Sequence, residues 1–116
     1  MAEIRKTPAA AKKRTAPRQR VLFGGKIVYD DGAFSVDCII RDLSASGAKI
    51  TLGPRVSIPA DVWFIDLHGG VAFSSQVAWR RTPHIGLRFL KRVELVSAPK
   101  ELAYLVRLWK ASIFRQ

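Results

Sequence analysis

The stretch RVLFGGKIVYDDGAFSVDCIIRD, residues 20–42, decides the fold class of this chain. Two segments rich in β-branched residues, 21–29 and 33–41, flank an Asp-Asp-Gly sequence. Asp and Gly accept the left-handed backbone conformations that a tight hairpin turn requires. The second segment alternates apolar and polar residues, and its apolar face holds Phe34, Val36, Cys38 and Ile40. A period of two indicates a half-buried strand, so the stretch predicts an antiparallel hairpin. Glycines 24 and 25 predict a bulge or a bend within its first strand.

Four more short strands are predicted further along the chain. Ala48, Ile50 and Leu52 share one face of the third, and residues 61–81 form a second hairpin that turns at Gly69-Gly70. The alternating apolar residues of that hairpin are Trp63, Ile65 and Leu67, then Val71, Phe73, Val77 and Trp79. The last strand follows Pro83 and directs Ile85, Leu87 and Phe89 inward. Because the connections are too short for parallel crossovers, six antiparallel strands are expected in a barrel or a sandwich.

The apolar period changes from two to that of a helix after Pro99. Residues 99–115 place apolar side chains at helical spacing, namely Leu102, Leu105, Val106, Trp109 and Ile113. A single amphipathic helix beside a small barrel most simply covers one open end or face of it. A helix that binds a partner protein is the alternative.

The length and the charge of the chain limit its possible functions. The chain has 116 residues, enough for one domain, which we place at residues 14–116 behind a disordered basic tail at residues 1–13. The sequence has neither a spanning segment nor the apolar core of a signal peptide, so a cytoplasmic protein is expected. The net charge of +11 is concentrated at the two ends, since residues 21–79 hold six acids and four Lys/Arg. Basic ends serve an anionic ligand, or only keep the protein in solution.

No catalytic or metal-binding arrangement is evident in the sequence. His68 and His84 have no partners at ligand spacing, and Cys38 lies on the apolar face of its strand as a small core residue. The sequence also has no P-loop, no dinucleotide-binding fingerprint of the G-x-G-x-x-G type and no G-x-S-x-G nucleophile motif. We therefore predict a non-enzymatic binding module without a metal or a cofactor.

Two polar motifs flank the first predicted hairpin. Arg14 and Arg18, four residues apart, precede its first strand, and Asp42, Ser44 and Gly47 follow its second strand as D-x-S-x-x-G. The second motif alone describes a turn in which Asp and Ser cap backbone N–H groups. However, adjacent antiparallel strands bring the start of one beside the end of the other. The two motifs are therefore expected to meet at one end of the barrel.

These residue types suit a ligand that contains both phosphates and guanines. Arginine pairs with the O6/N7 edge of guanine and with phosphate. A carboxylate such as Asp42 accepts hydrogen bonds from the guanine N1–H and amino group, while the Ser44 hydroxyl and nearby backbone N–H groups hold a phosphate.

The order R-x-x-x-R then D/N-x-S-x-x-G resembles the signature of PilZ domains, bacterial receptors for the second messenger cyclic di-GMP. The resemblance covers roughly residues 12–90 and includes the closing strands VAWRR and HIGLRF. It implies a six-stranded antiparallel barrel with a C-terminal helix. It also implies that Arg14 and Arg18 clamp the ligand while Asp42, Ser44 and Gly47 line the opposite wall. Additional candidate contacts are Lys13, Arg20 and Ser46.

The expected function is a cyclic di-GMP receptor whose N-terminal segment becomes ordered around the ligand and signals to an unidentified protein partner. One alternative is a barrel that binds single-stranded nucleic acid, which would need exposed aromatic residues among basic ones. The alternation predicts instead that most strand aromatics face inward, so nucleic acid is the less favoured partner. The other alternative is an adaptor that works without nucleotide, through the barrel and the C-terminal helix.

Overall fold

The computed structural model of the protein describes residues 19–113, which form six strands, two 3-10 turns and one α-helix. The strands are β1 (Gln19–Tyr29), β2 (Phe34–Leu43), β3 (Gly47–Thr51), β4 (Asp61–Asp66), β5 (Val71–Arg81) and β6 (His84–Glu94). The 3-10 turns Leu95–Ser97 and Lys100–Leu102 precede the helix α1 (Ala103–Ile113). The Thr82–Pro83 peptide bond between β5 and β6 is cis.

The strands close into an antiparallel barrel in the order β1-β2-β3-β6-β5-β4, which confirms the predicted fold class. β1 pairs with β2 from Gln19 opposite Leu43 to Tyr29 opposite Phe34. The ladder between β1 and β4 is shorter and joins residues 25–28 to residues 63–66. The barrel is therefore closed along only part of the length of β1.

The β1–β2 turn has the backbone conformation expected from its sequence. Asp30, Asp31 and Gly32 all adopt positive φ angles, of 57°, 54° and 92° respectively. The Ala33 N–H donates to the Asp30 carbonyl oxygen at 2.9 Å. Asp tolerates the left-handed region better than most residues, and Gly adopts it without steric cost, so the local sequence is sufficient to set the hairpin register.

The barrel interior is filled by apolar side chains from all six strands. Fully buried members include Ile27, Ile40, Ile50 and Phe64. Phe64, Phe73 and Phe89 stack on one another, with ring centroids 3.8 Å apart for Phe73 and Phe89. Ile85, Leu87 and Phe89 on β6 face this core as predicted.

The helix covers the outer face of β1, β4 and β5 rather than an open end of the barrel. Leu105 is fully buried against Val28, Ile65 and Ala72, the outward residues of those strands. The Trp109 indole N–H donates to the Leu67 carbonyl oxygen at 3.1 Å. The helix is therefore part of the fold, and most of its apolar stripe is occupied by the barrel.

On β4 and just after it, the alternating residues Trp63, Ile65 and Leu67 do not face the barrel interior, contrary to the inward direction predicted for most strand aromatics. Phe64 and Val62 point into the barrel, whereas Trp63 and Ile65 point outward beneath the helix. β4 carries apolar residues on both faces, because one face packs inside the barrel and the other packs under α1. A strand buried on both sides loses the alternating pattern from which the inner face can be read.

Glycines 24 and 25 do not form the predicted bulge, since the β1–β2 register shifts earlier, between Arg20 and Phe23. Gly25 is instead required by close packing. A Cβ atom there would lie 3.1 Å from the Cys38 Sγ, the Ile65 carbonyl oxygen and the Phe64 ring. Within residues 19–113, no helix is long and apolar enough to cross a membrane.

Candidate functional site

The D-x-S-x-x-G motif forms the turn between β2 and β3. The Ser44 N–H donates to the Gly47 carbonyl oxygen at 2.9 Å. The Ser44 Oγ accepts from the backbone N–H groups of Ser46 and Gly47 at 3.3 and 3.2 Å, and lies 3.2 Å from the Gly47 carbonyl oxygen. Ser44 thus holds the turn closed by local hydrogen bonds. Two of the backbone N–H groups that were predicted to hold a phosphate therefore donate to the Ser44 hydroxyl instead. The exposed Ser46 hydroxyl lies 3.4 Å from the Ser44 Oγ.

Gly47 is fixed by a close approach between β3 and β6. A Cβ atom at this position would lie against the Leu87 carbonyl oxygen, well inside the 3.0 Å that real Cβ contacts do not breach. The Ser46 carbonyl oxygen accepts a hydrogen bond from the Phe89 N–H at 2.9 Å, so the turn is also tied directly to β6. The motif therefore anchors the β2–β3 turn onto the neighbouring strand.

Asp42 is buried on the outer side of the barrel wall, opposite Lys49 on β3 and Arg20 on β1. The strict alternation from Ile40 would direct Asp42 inward. A register shift between Ile40 and Asp42 reverses this, because the extra residue, Arg41, turns the strand. The Asp42 carboxylate lies 3.5 Å from the Lys49 ammonium, and its side chain is only 9% exposed.

The start of β1 lies beside this turn. The β1–β2 ladder places Gln19 opposite Leu43 and Arg20 opposite Asp42. Arg18 directly precedes Gln19 in the sequence, but Lys13, Arg14 and Arg18 themselves lie outside the described residues. The start of β1 and the D-x-S-x-x-G turn are thus neighbours in the fold, and the contacts of the three basic side chains stay a prediction.

Trp79, which the alternation on its strand predicts to face inward, extends the candidate site across the barrel. A register shift between Val77 and Trp79 turns its side chain outward, where it is 43% exposed. The indole ring lies over Gly86, in the space that a side chain at this position would occupy. Gly86 is paired with Lys49, which is paired with Asp42. The register therefore aligns Asp42, Lys49 and Trp79 in one row on the outer surface.

Basic side chains flank this row on β5 and β6. Arg88, paired with Gly47 across the β3–β6 ladder, is exposed and donates a hydrogen bond to the Gln76 side chain. Arg81 is exposed and lies opposite His84, two pairs beyond Trp79. A cationic surface with one exposed aromatic ring offers both charge neutralisation for phosphates and a stacking plane for a base. The adjacent Trp-Arg-Arg sequence was the available signal, but only the bulge shows that the ring faces out.

The titratable groups elsewhere in the described part of the chain form no further reactive centre. Cys38 is buried in the barrel, and burial raises the pKa of its thiol to about 12, with a smaller contribution from Asp37. A thiol with such a pKa is a poor nucleophile at neutral pH. Residues 19–113 contain no cluster of three His, Cys, Asp or Glu residues that could hold a metal ion.

Residues 19–113 thus form a closed antiparallel barrel with a covering C-terminal helix and a polar turn beside the start of β1. The sequence matches the PilZ domain model over residues 12–107, and the chain belongs to the PilZ domain family. Domains of this family are in general receptors for cyclic di-GMP without enzymatic activity of their own.

Two solved structures of similar proteins were compared with the chain. A Legionella protein described as uncharacterised shares 17% identity, with a TM-score of 0.46, covering 84% of this chain and 95% of that one. The PilZ domain of CeSA from a cellulose-synthesizing bacterium shares 10% identity, with a TM-score of 0.47, covering 83% and 97% respectively. A comparison with curated proteins finds no match.

Proposed function

We propose that this protein is a non-enzymatic receptor for cyclic di-GMP, and that the ligand lies between the segment containing Arg14 and Arg18 and the β2–β3 turn. Membership of the PilZ family supports the ligand class. The observation that supports the location is the β1–β2 register, which sets the residue after Arg18 opposite Leu43 and its successor opposite Asp42. The bound ligand changes the N-terminal segment, and the altered surface engages a protein partner.

Each motif residue has a distinct part in this proposal. Arg14 and Arg18 pair with guanine edges and phosphates, and Lys13 and Arg20 add positive charge. Asp42 accepts from the guanine N1–H and amino group. The exposed Ser46 hydroxyl is better placed than the Ser44 hydroxyl to donate to a phosphate, since Ser44 already closes the turn. Gly47 contributes through packing, because it lets the turn sit against β6.

Trp79 gives the same site a stacking surface. The exposed indole lies in the row that begins at Asp42, on the solvent side of Gly86. Stacking of a base on an aromatic side chain is worth about 1–3 kcal/mol. In this proposal a guanine stacks on Trp79, and the row from Asp42 to Trp79 forms the half of the site that belongs to the barrel.

The test is calorimetric titration of the protein with cyclic di-GMP, using single-arginine variants. Arg14→Ala or Arg18→Ala should each weaken binding by about 1.5–3 kcal/mol, the scale of a charge-assisted hydrogen bond. Arg107→Ala is the matched control, since Arg107 is exposed on α1, which covers β1, β4 and β5. Wild-type affinity in the Arg14 and Arg18 variants, together with a collapse of their melting temperature, would show that the arginines are structural.

The conformational part of the proposal has its own measurement. Amide exchange at residues 14–20 should slow when cyclic di-GMP is added, because the arginines gain an anionic partner. Equal exchange with and without ligand would remove the switch and leave binding intact.

Binding of single-stranded nucleic acid is the second candidate, and Trp79 is the observation that favours it. An exposed aromatic beside Arg81 and Arg88 is the arrangement that such proteins use. An unstructured oligonucleotide titrated in parallel distinguishes the two, since a receptor for cyclic di-GMP prefers the dinucleotide. Tight oligonucleotide binding with no response to cyclic di-GMP would favour the second candidate, and a response to neither would favour the nucleotide-independent adaptor.

A further inference from the structure

Lys49 forms an ion pair with the proposed guanine reader, Asp42, and neither sequence motif includes it. Its ammonium lies 3.5 Å from the Asp42 Oδ2. Charge-assisted hydrogen bonds between an ammonium and a carboxylate are typically about 2.7–2.9 Å long. The two groups therefore form a loose ion pair rather than a tight hydrogen bond, and the lysine has donors to offer to another acceptor.

Lys49 and Asp42 differ in exposure. The Lys49 side chain is 37% exposed, and the Asp42 side chain is 9% exposed. Lys49 is therefore the more accessible member of the pair, and its ammonium is open to a ligand group that approaches the outer face of β3.

The strand neighbours of Lys49 place it between a carboxylate and an aromatic ring. On one side the register pairs it with Asp42 and on the other with Gly86, which has no side chain. The Trp79 indole covers Gly86, so the ammonium stands in the row between a carboxylate and an aromatic face. Gly47, two residues earlier on β3, begins the strand at the β2–β3 turn.

The charge of cyclic di-GMP favours a cation beside Asp42. Its two phosphodiesters each carry a negative charge, and they lie within a nucleotide's length of any guanine that Asp42 contacts. A carboxylate repels a nearby phosphate unless a positive group lies between them, and the repulsion is stronger at a partly dehydrated surface than in bulk water. Lys49 is positioned to supply that positive group.

We propose that Lys49 is a phosphate-binding residue of the cyclic di-GMP site. This inference rests on the proposed function and adds a residue to it. On binding, the loose pair with Asp42 is replaced by two contacts: the carboxylate accepts from guanine, and the ammonium donates to a phosphate oxygen. An ammonium is a compact charge with three rotatable donors, which suits a phosphate oxygen.

The experiment compares Lys49→Gln, Lys49→Arg and Lys110→Gln, titrated with cyclic di-GMP at low and high salt. Lys110, exposed on α1, gives the same change of net charge on another face of the barrel. We expect Lys49→Gln to weaken binding by about 10- to 100-fold, the scale of one charge-assisted hydrogen bond. Lys49→Arg should bind within about threefold of wild type and Lys110→Gln like wild type, since one keeps the cation and the other leaves the site unchanged.

Salt dependence and the adenine analogue separate a phosphate contact from a structural effect. The affinity of Lys49→Gln should fall less steeply with salt than that of wild type, because one screened interaction is missing. Cyclic di-AMP has the same phosphates, so Lys49→Gln should weaken both ligands by the same factor. In the wild-type protein, the Lys49 side-chain NMR signals should shift on titration, a readout that does not depend on whether the variant folds.

The possible failures are distinguishable. If wild type does not bind cyclic di-GMP, the proposed function fails. If wild type binds and Lys49→Gln matches its affinity and salt dependence, or the Lys49 signals stay unchanged, the function stands and the role of Lys49 is wrong. A change confined to the ratio of the two ligands would also overturn it, since Lys49 would then act only through Asp42.

Discussion

Replacing Gly47 with alanine tests whether the glycine of the D-x-S-x-x-G motif is held by packing. The new Cβ atom would meet the Leu87 carbonyl oxygen, and it would also lie 3.4 Å from the Leu87 carbonyl carbon and 3.7 Å from the Arg88 Cα. All three neighbours are backbone atoms of β6, so no flexible side chain can move aside. β3 and β6 must separate locally, which strains their ladder.

The expected cost follows from two opposing effects. Overpacking a well-packed site costs about 1–3 kcal/mol, and an obstruction by backbone falls at the upper end. Alanine in place of glycine restricts the unfolded chain, and this effect alone would raise the free energy of unfolding by about 0.5–1 kcal/mol. The net loss is about 2 kcal/mol, which for a domain of this size lowers the melting temperature by roughly 8–16 °C.

Thermal and urea unfolding of Gly47→Ala, with Gly24→Ala as the control, measures this loss. A Cβ atom at Gly24 would lie 3.7 Å from the Leu67 Cδ1, which is ordinary contact, so the control should melt within a few degrees of wild type or slightly above it. If Gly47→Ala melts at the wild-type temperature with an unchanged denaturant slope, β3 and β6 do not approach as closely as described.

Three further predictions concern the carboxylate, the thiol and the helix. We expect the wild-type protein to prefer cyclic di-GMP over cyclic di-AMP by at least ~100-fold. Asp42→Ala should narrow this preference, whereas Ser44→Ala should weaken the binding of both ligands. If parallel titrations of wild type and Asp42→Ala give the same ratio of the two affinities, Asp42 only supports the turn. The Cys38 thiol has a folded-state pKa of about 12 against 9.0 when unperturbed, so stability should be lost as pH rises through that window, because the unfolded chain releases the proton first. Melts of wild type and Cys38→Ala over the same pH range check this, since only wild type should show the loss due to the thiol. Leu105→Ala should lower the free energy of unfolding by about 2–5 kcal/mol, because it leaves a cavity at a fully buried position. The affinity for the ligand should stay unchanged. If the variant folds but no longer binds the ligand, the helix has a role in binding.

The parts of the fold set by local sequence were predictable. The Asp-Asp-Gly turn, the alternation on β3 and β6, and the change to a helical period after Pro99 each depend on a few neighbouring residues, and each is present. The positions that the pattern misplaced depend on register. A single extra residue before Trp79 turns it from the interior to the surface, and no periodicity within one strand reveals such a shift.

The candidate site shows the same division. The D-x-S-x-x-G turn and its nearness to the start of β1 followed from motif order and hairpin geometry. Lys49 and Trp79 did not, because they join Asp42 only through the β2–β3, β3–β6 and β5–β6 ladders. The residues of a surface row come from four strands, and their alignment is a property of the closed barrel.

The short ladder between β1 and β4 divides β1 into two halves that differ in the number of strands they pair with. Residues 25–28 are hydrogen-bonded to strands on both sides, whereas within the described chain residues 19–24 pair with β2 alone. The first half can therefore detach by breaking one ladder, without opening the phenylalanine core. Local opening of this kind has a free energy below that of global unfolding. Residues 19–24 can thus rearrange while the rest of the barrel stays intact. In the proposed receptor, a mutation in this segment is therefore expected to alter the response to cyclic di-GMP while the melting temperature stays constant.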